Sequence, residues 1–325
     1  MKAIRYHAYG SPDVLRLEDA DMPPVGDDDV LIRVRAASVN PLDWHAMRGA
    51  PYVARLDMGL RRPKRCGLGA DLAGTVEAVG RKVTRFAPGD DVYGGCAMDL
   101  TPGRTGFAEY AALRQDGWLA RKPAGLTFEQ AAAVPVAGVY ALQALRDKGG
   151  LKTGQRVLVN GAAGGVGTFA VQFAKALGAA EVTGVCSTRN VELVRSIGAD
   201  QVIDYSERDY TRTGARYDVV LDLVANRGLL ANRRVLAGTG VLVAGAPAKG
   251  QWIGPLLGVA KVMLLPRATF FLAAASPDDL DVMTGLIESG RVTPVIDRTF
   301  SLDETAEAVR YLERGHARGK VVITV

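Results

Sequence analysis

The stretch "VLVNGAAGGVG", Val157 to Gly167, constrains this chain more than any other. Branched apolar residues lead into a run of glycine and alanine, so side chains are removed where something must approach the backbone closely. The run follows a segment that reads as a strand ("RVLVNGA") and opens one that reads as a helix ("GVGTFAVQFAKALG"), the context a dinucleotide-binding loop requires. Its form is Ala162-x-Gly164-x-x-Gly167, with Gly161 and Gly165 added and Ala163 and Val166 in the intervening positions. Gly161 and Ala162 make the turn, Gly164 and Gly165 admit a pyrophosphate, and Gly167 lets the helix lie close on its strand. The pyrophosphate is expected on the free N–H groups at the positive end of that helix. No Lys-Ser or Lys-Thr follows the last glycine, which excludes a P-loop. The bland alternative is a tight strand–helix turn with no ligand.

The flanking sequence supports the same context. From Leu126 an Ala-rich stretch suits helix, with Thr127 as N-cap, Gly149 as stop and Pro135 as an interruption. Beyond it strands and helices alternate: "AEVTGVCS", "DQVIDY", "YDVVLDLV" and "GVLVAGA" read as strands, and "NVELVRSIG" as helix. Strands so continuously rich in Val, Ile and Leu imply a sheet covered on both faces, hence parallel and doubly wound. The first third is different. "DVLIRVRAASVN" alternates as a strand does, and short apolar runs are punctuated by Gly, Pro and Asp. After Ala275 the alternation stops, and the tail ("PVIDRTF", "SLDETAEAVRYLERG", "GKVVITV") is expected to return to the first domain. At 325 residues two domains are expected.

The second strand of the alternating region ends "GVCSTRN". An NAD site places an acid there to accept the ribose hydroxyl, whereas this chain has Cys186, Ser187 and Thr188, then Arg189. A carboxylate would repel a 2′-phosphate by about 4 kcal/mol per unit charge at 4 Å with an effective dielectric near 20. Its absence, with Ser187 to donate and Arg189 to pair, predicts NADPH over NADH. The alternative is that Arg189 is a solvated residue at a helix start.

Composition excludes several classes. The net charge of +5 comes from scattered Lys and Arg mixed with acids. No aromatic-interleaved basic stripe marks a nucleic-acid module. The densest basic run, Arg55 to Arg65, reads as a solvated loop or an anion-binding patch. Three cysteines, Cys66, Cys96 and Cys186, lie far apart, as in a reducing cytosol. The N-terminus lacks a signal-peptide core. The apolar segment Trp252 to Ala275 is broken by Pro255, Lys261, Pro266 and Arg267, so it reads as buried or interfacial surface and not a membrane span.

With these residues in hand, the chain resembles the medium-chain dehydrogenase/reductase superfamily, specifically its zinc-free quinone oxidoreductase branch. The likeness rests on "ASVNPLDWHAMRG", "GADLAGTVEAVG", "FAPGDDVYG", "FAEYAAL", "AAAVPVAGVYALQAL", "NGAAGGVG" and "GKVVITV". It implies a discontinuous GroES-like β-rich catalytic domain, residues 1–125 and 275–325, around a Rossmann domain, residues 126–274. The positions matching the family's catalytic zinc ligands hold Asn40, Ala70 and Val136, and the four-cysteine lobe is missing, so no zinc is expected. Hydride transfer to an electrophilic small molecule, a quinone or an α,β-unsaturated carbonyl, is the implied reaction, in a cleft between the domains.

By the same resemblance Asn40 and Asp43 line the site near the nicotinamide, with Asn40 as a donor to the acceptor oxygen, or else they only hold the loop before a helix. His45 is the nearest conventional proton donor, or else a rim residue. Tyr205, Val224 and the loop Ala244-Gly245-Ala246 match further coenzyme contacts, and Lys320 matches a basic residue that reaches the pyrophosphate. Each has a bland reading as an ordinary strand end or solvated side chain. Tyr140 stands where relatives carry a small Thr beside the coenzyme, so its phenol is counted with the catalytic candidates as a further proton donor, or else it narrows the site or points elsewhere, and Ala225 stands where Gly is more common. The resemblance also implies a cytoplasmic homodimer, with a sixth Rossmann strand near Phe270 extending the sheet across subunits. Rival readings are an enoyl-thioester reductase, which the basic loop would suit, a zinc-independent alcohol dehydrogenase-like protein, and an NADPH-binding regulatory or RNA-binding protein with little turnover.

Overall fold

Strands of the N-terminal third, from Asp29 onward, share one sheet with the last two strands of the chain. In the computed structural model, which describes all residues except 97–98, 246–259, 261 and 263, the chain divides into two units. The first comprises Met1–Val139, Ala274–Ser289 and Pro294–Val325, and the second Tyr140–Ala273 and Gly290–Thr293.

In the first unit β1 (Lys2–Arg5) and β2 (Arg16–Asp19) form an antiparallel ribbon. The main sheet runs β14 (Ile296–Ser301), β15 (Lys320–Thr324), β3 (Asp29–Val39), β4 (Asp71–Val79), β5 (Asp91–Gly95) and β7 (Leu119–Arg121), with β6 (Tyr110–Arg114) also pairing with β3. The tail lies in this sheet: β15 is antiparallel to β3, with Val321 opposite Val39. In β3 only Arg33 and Arg35 reach solvent. The rest is buried because this central strand is flanked by β15, β4 and β6 and covered by α3 (Phe128–Ala132).

Thr127 caps α3 as expected: its hydroxyl accepts from Gln130 N at 3.2 Å, and the Gln130 side chain accepts from Thr127 N at 3.1 Å. Pro135 does not kink a long helix; it opens a new one, α4 (Pro135–Gln143), where its missing N–H costs nothing. A π-helical turn, Ala144–Lys148, leads to Gly149. The division between the units falls inside α4, later than residue 126, because α3 packs on β3 and β4 of the first unit.

The second unit is a six-stranded sheet in the order β10 (Gln201–Asp204), β9 (Glu181–Cys186), β8 (Arg156–Asn160), β11 (Tyr217–Asp222), β12 (Leu236–Ala244), β13 (Ala268–Phe270). Every neighbouring pair is parallel. The chain runs outward from β8 to β10, then crosses back to β11, so the order reverses between β8 and β11. That is the switch point at which open α/β sheets bind ligands. The helix that follows β8 is α5 (Gly165–Ala176). Val157, Leu158 and Val159 of β8 are wholly buried, as their unbroken apolar run predicts. The strand expected near Phe270 is β13, at the sheet edge. Of the apolar segment Trp252 to Ala275, residues 252–259, 261 and 263 lie outside the described residues; beyond them Val262 and Phe271 are buried while Leu264 and Leu272 are exposed.

Candidate coenzyme and acceptor sites

In the second unit the glycine loop closes the end of β8. Gly161 has φ of 89°, a conformation glycine adopts without strain. Its N–H and that of Ala162 both donate to Val185 O, each at 3.1 Å, which fastens the loop to β9. Gly167 faces the turn: a Cβ there would stand 2.1 Å from Gly161 O. Gly164 is different, since its nearest neighbour would be Gly161 O at 3.5 Å, an ordinary contact. Gly164 is the N-cap of α5 and has no side chain to cap with. The N–H groups of Gly165, Val166 and Gly167 are therefore left for an outside acceptor. Ala162 and Ala163 are buried, while Gly164, Gly165 and Val166 are half-exposed. These residues fit a pyrophosphate: uncapped donors, a positive helix end and no Cβ in front of them.

On one side of this turn lies the end of β9. Ser187 Oγ accepts a hydrogen bond from Asn190 Nδ2 at 3.2 Å, which leaves the hydroxyl proton to be donated elsewhere. Arg189 is exposed beside it. Cys186 carries no negative charge at neutral pH, because burial pushes its thiol up to about 11. Asp204, opposite Cys186 on β10, is an acid that sequence reasoning passed over. Its carboxylate is held below the usual range by the side chain of Thr188 and by Ser206 N. Tyr205 N donates to Cys186 O at 3.0 Å, and the Tyr205 side chain is exposed.

On the other side lie the ends of β11 and β12, fixed by a buried polar network. Asp222 accepts from Asn160 Nδ2 at 2.8 Å and from Asn232 Nδ2 at 2.9 Å. Tyr210 donates to Asn232 Oδ1 at 2.7 Å, and Asn160 also reaches Asn226 Oδ1 at 3.0 Å. Val224 N and Ala225 N donate to Asp222 Oδ1 as well. Ala225 takes φ of 54°, the left-handed conformation that a glycine would adopt freely. Val224 is exposed, Ala244 is buried, and Gly245 N donates to Asp222 O at 2.7 Å. Ala246 lies outside the described residues. Tyr140 stacks on Phe271 with ring centroids 4.7 Å apart, beside Gly245.

In the first unit a second buried network joins residues far apart in sequence. Asp71 is wholly buried. Its carboxylate accepts from Ser38 Oγ at 2.6 Å, Asn40 Nδ2 at 2.9 Å and Val136 N at 2.9 Å. Lys320, only 3 % exposed, donates to Asn40 Oδ1 at 2.6 Å and lies 3.4 Å from Asp71. Asn40 Nδ2 also donates to Ser38 O at 3.3 Å, so both ends of the amide are engaged. Burial pushes the Lys320 ammonium down from its ordinary value, against the pull of Asp71 and Asp43. Asp43 accepts from Asn40 N at 2.7 Å and Gly69 N at 2.9 Å, which pins the start of α1 (Pro41–Arg48) to the turn before β4. Burial pushes its carboxyl up to about 7.

The structure thus brings Asn40, Asp43 and Lys320 together but turns them inward. Lys320, expected at a pyrophosphate, has its ammonium on Asn40 and Asp71, because a buried carboxylate needs a counter-charge. Asn40, expected to donate outward, has both amide hydrogens on protein acceptors. His45 is half-buried and stacked on Trp44 at 3.7 Å. Its Nδ1 lies 3.1 Å from Ala50 O, an acceptor, so Nδ1 carries the proton. Burial lowers its basicity, leaving Nε2 bare at neutral pH and hence an acceptor, not a proton donor. Sequence reading missed Ser38, Asp71, Asn160 and Asp222. The signal was there: each is a polar residue set directly beside buried apolar neighbours inside or at the end of a strand, where an unpartnered one would be costly.

Two family models match the chain: "Alcohol dehydrogenase GroES-like domain" over residues 26–144 and "Zinc-binding dehydrogenase" over residues 197–323. The 2-methylene-furan-3-one reductase of Solanum lycopersicum is 37% identical over 99% of this chain and 79% of its own length. The chloroplastic NADPH-dependent alkenal/one oxidoreductase of Arabidopsis thaliana is 35% identical, again over 99% of this chain and 79% of its own length. Among solved structures, the quinone oxidoreductase from Coxiella burnetii superimposes with a TM-score of 0.86 at 35% identity, covering 100% of this chain and 99% of that one. The chain belongs to the medium-chain dehydrogenase/reductase superfamily, with its quinone oxidoreductases and enone reductases.

Proposed function

We propose that this chain is an NADPH-dependent oxidoreductase that reduces quinones or α,β-unsaturated carbonyls without zinc. The observation that carries the reading is the uncapped start of α5 behind Gly161 and Gly164, a ready anion site at the switch point of a parallel sheet. The bound coenzyme supplies the hydride. The chain's own residues hold it: N–H groups of Gly165, Val166 and Gly167 at the pyrophosphate, and the Ser187 hydroxyl with Arg189 at the 2′-phosphate. Ser187 suits a phosphate, which only accepts, because Asn190 already fills its acceptor side.

The residues at the metal position do not suit zinc. Asn40, Ala70 and Val136 offer an amide, a methyl and an isopropyl group. The nearby Asp71 carboxylate already faces the Lys320 ammonium, whose charge would repel a metal cation. Conjugated acceptors suit such a site, since they spread the charge that the hydride delivers, and alignment alone supplies about 7–11 kcal/mol.

Calorimetric titration with NADPH and NADH tests the coenzyme, and a panel of quinones and enones tests the acceptor. NADPH is expected to bind at least about tenfold more tightly, one such factor being about 1.4 kcal/mol. NADPH binding without any NADPH oxidation across the panel would defeat the reductase reading. A second reading, an enoyl-thioester acceptor, draws on Arg61, Arg62, Lys64 and Arg65, which follow the short helix α2 (Arg55–Met58). All four are exposed and would suit a phosphate-bearing carrier. An enoyl-CoA compared with a simple quinone under one condition decides between them. We also assign a cytoplasmic homodimer joined through the β13 edge, whose outer side has no partner strand among the described residues. Sedimentation showing a monomer at every concentration would refute that assembly. Among the described residues no helix is long and apolar enough to cross a membrane.

A further inference from the structure

The two most exposed large apolar side chains described in the first unit lie in one loop: Leu56 is 71% exposed and Leu60 66%. Val53, just before them, is exposed as well. Exposed apolar residues scattered singly need no explanation. Here three fall within eight positions, and the exposed cations Arg61, Arg62, Lys64 and Arg65 follow directly.

The loop is anchored by other residues, which leaves these side chains in water. A short 3₁₀ turn, Tyr52–Ala54, runs straight into α2, so Val53 and Leu56, at i and i+3, are neighbours on one face. Arg55 is the anchor. Its guanidinium lies over the Tyr9 and Tyr52 rings, 4.4 and 4.5 Å from their centroids, and donates to Arg48 O at 3.0 Å and Gly49 O at 2.9 Å. Tyr9 Oη donates to Gly59 O at 2.7 Å. Lys64 N donates to Met58 O at 2.8 Å, closing the loop that follows α2. Gly59 takes φ of 114°, and a Cβ there would stand 2.1 Å from Arg62 O. The chain thus doubles back, carrying Leu60, Arg61 and Arg62 around the turn and returning Lys64 to the end of α2.

The charge of this loop is one-sided. From Tyr52 to Arg65 there are five cations and one acid, Asp57. Asp57 lies 3.8 Å from Arg65, so Arg61, Arg62 and Lys64 are unopposed within the segment. A phosphorylated small molecule or a nucleic-acid backbone would use the cations and gain nothing from the leucines. A bilayer with anionic headgroups uses both, the cations at lipid phosphates and the leucines at the boundary with the acyl chains.

We infer that the Tyr52–Arg65 loop docks this chain reversibly on an anionic membrane surface, with Leu56 and Leu60 entering the headgroup boundary and Arg61, Arg62 and Lys64 on lipid phosphates. The contact lies on the bilayer and requires no spanning helix, and it is independent of the coenzyme reading. The test is flotation of the full chain with unilamellar vesicles of phosphatidylcholine, alone or mixed with phosphatidylglycerol. The parent chain should float with the mixed vesicles and stay behind with phosphatidylcholine alone. Leu56→Ser combined with Leu60→Ser keeps the charge and should weaken binding to mixed vesicles at least about tenfold. Arg61→Gln, Arg62→Gln and Lys64→Gln together should weaken it about 100-fold, at about fivefold for each cation. Both variants should melt within about 2 °C of the parent, since the altered side chains are exposed. In a Leu60→Trp chain the added tryptophan emission should shift to the blue on mixed vesicles. A parent chain that does not float with mixed vesicles overturns the inference. Parent-like binding by the leucine variant overturns it too, because the loop would then be a plain anion patch. Parent-like binding by the cation variant, or an unshifted emission from the tryptophan at position 60, would place the membrane contact elsewhere on the chain and overturn it equally.

Discussion

Replacing Lys320 by Met tests the arrangement at the heart of the first unit. The side chain keeps its length and loses its charge, while Asp71 stays wholly buried. At the observed 3.4 Å, unit charges attract by about 5 kcal/mol with an effective dielectric near 20. Asp71 retains three donors, Ser38 Oγ, Asn40 Nδ2 and Val136 N, which limits the damage. Asn40 Oδ1 loses its short bond from the ammonium and gains nothing. Breaking a buried pair at one end costs about 3–5 kcal/mol. For a unit of about 150–250 residues each kcal/mol moves the melting temperature by about 2–4 °C. The expected drop is therefore about 6–20 °C, read by differential scanning calorimetry at neutral pH. Pairing the change with Asp71→Leu should recover at least about 1 kcal/mol relative to the sum of the single changes, since neither charge is then left alone. A Lys320→Met protein melting within about 2 °C of the parent would refute the ion-pair account, because so small a shift corresponds to no more than about 1 kcal/mol.

Three further outcomes are expected. Gly164→Ala should melt within about 2 °C of the parent, because its Cβ meets only an ordinary contact at 3.5 Å, yet bind NADPH at least about tenfold more weakly by titration, as the methyl group occupies the path of the pyrophosphate. Gly167→Ala should instead destabilise the second unit itself, since its Cβ would press on backbone at 2.1 Å; equal behaviour of the two variants would contradict the division of roles. Arg189→Ala should cost about 5- to 15-fold in NADPH affinity and leave NADH unchanged, the modest size reflecting an exposed charge. Asp43 gives a pH signature. Its folded-state value of about 7 lies above an unfolded value of about 3.9. The folded chain therefore holds a proton that the unfolded chain has released between those values. That contribution is fully present below about pH 4 and is lost as pH rises through about 7. Denaturation of Asp43→Asn should accordingly show a shallower fall in stability over this window, the difference reaching at most about 1.4 kcal/mol per pH unit.

What the sequence made legible followed from local rules. Strands β8 to β12 announced themselves as short, continuous apolar runs, and the parallel sheet follows from that. The glycine loop was readable because each glycine meets a local demand, such as the positive φ of Gly161 or the contact of Gly167 with Gly161 O. What could not be read depends on partners distant in the chain. Lys320 and Asn40 are 280 positions apart, and nothing near "GKVVITV" shows that its lysine is enclosed. The fate of Asn40 likewise depends on Asp71, a lone acid at the start of β4. Helix α3 looked like the start of the second domain because its Ala-rich composition continues through α4. Its packing on β3 and β4 assigns it to the first unit, and packing across a sheet has no local signature.

The Lys320 network also bears on which acceptors the proposed enzyme can reduce. An acceptor oxygen that gains charge during hydride transfer needs a donor or a cation. Lys320 cannot swing to that oxygen without leaving the buried Asp71 carboxylate with its three neutral donors but no counter-charge, and at an effective dielectric near 20 the lost attraction is about 5 kcal/mol. Asn40 cannot turn its amide outward without taking its Nδ2 from the same carboxylate and its Oδ1 from the ammonium. Asp43 is closed off by two backbone N–H groups, and His45 presents a lone pair. None of these four residues offers a ready donor for a localised alkoxide. Under the proposed function, then, the acceptor must carry much of the new charge itself. A quinone spreads it over a ring and an enone over a conjugated system, whereas a simple ketone localises it on one oxygen. Conjugated acceptors should turn over and their saturated ketone counterparts should not, and this preference originates in an ammonium that the fold keeps for itself.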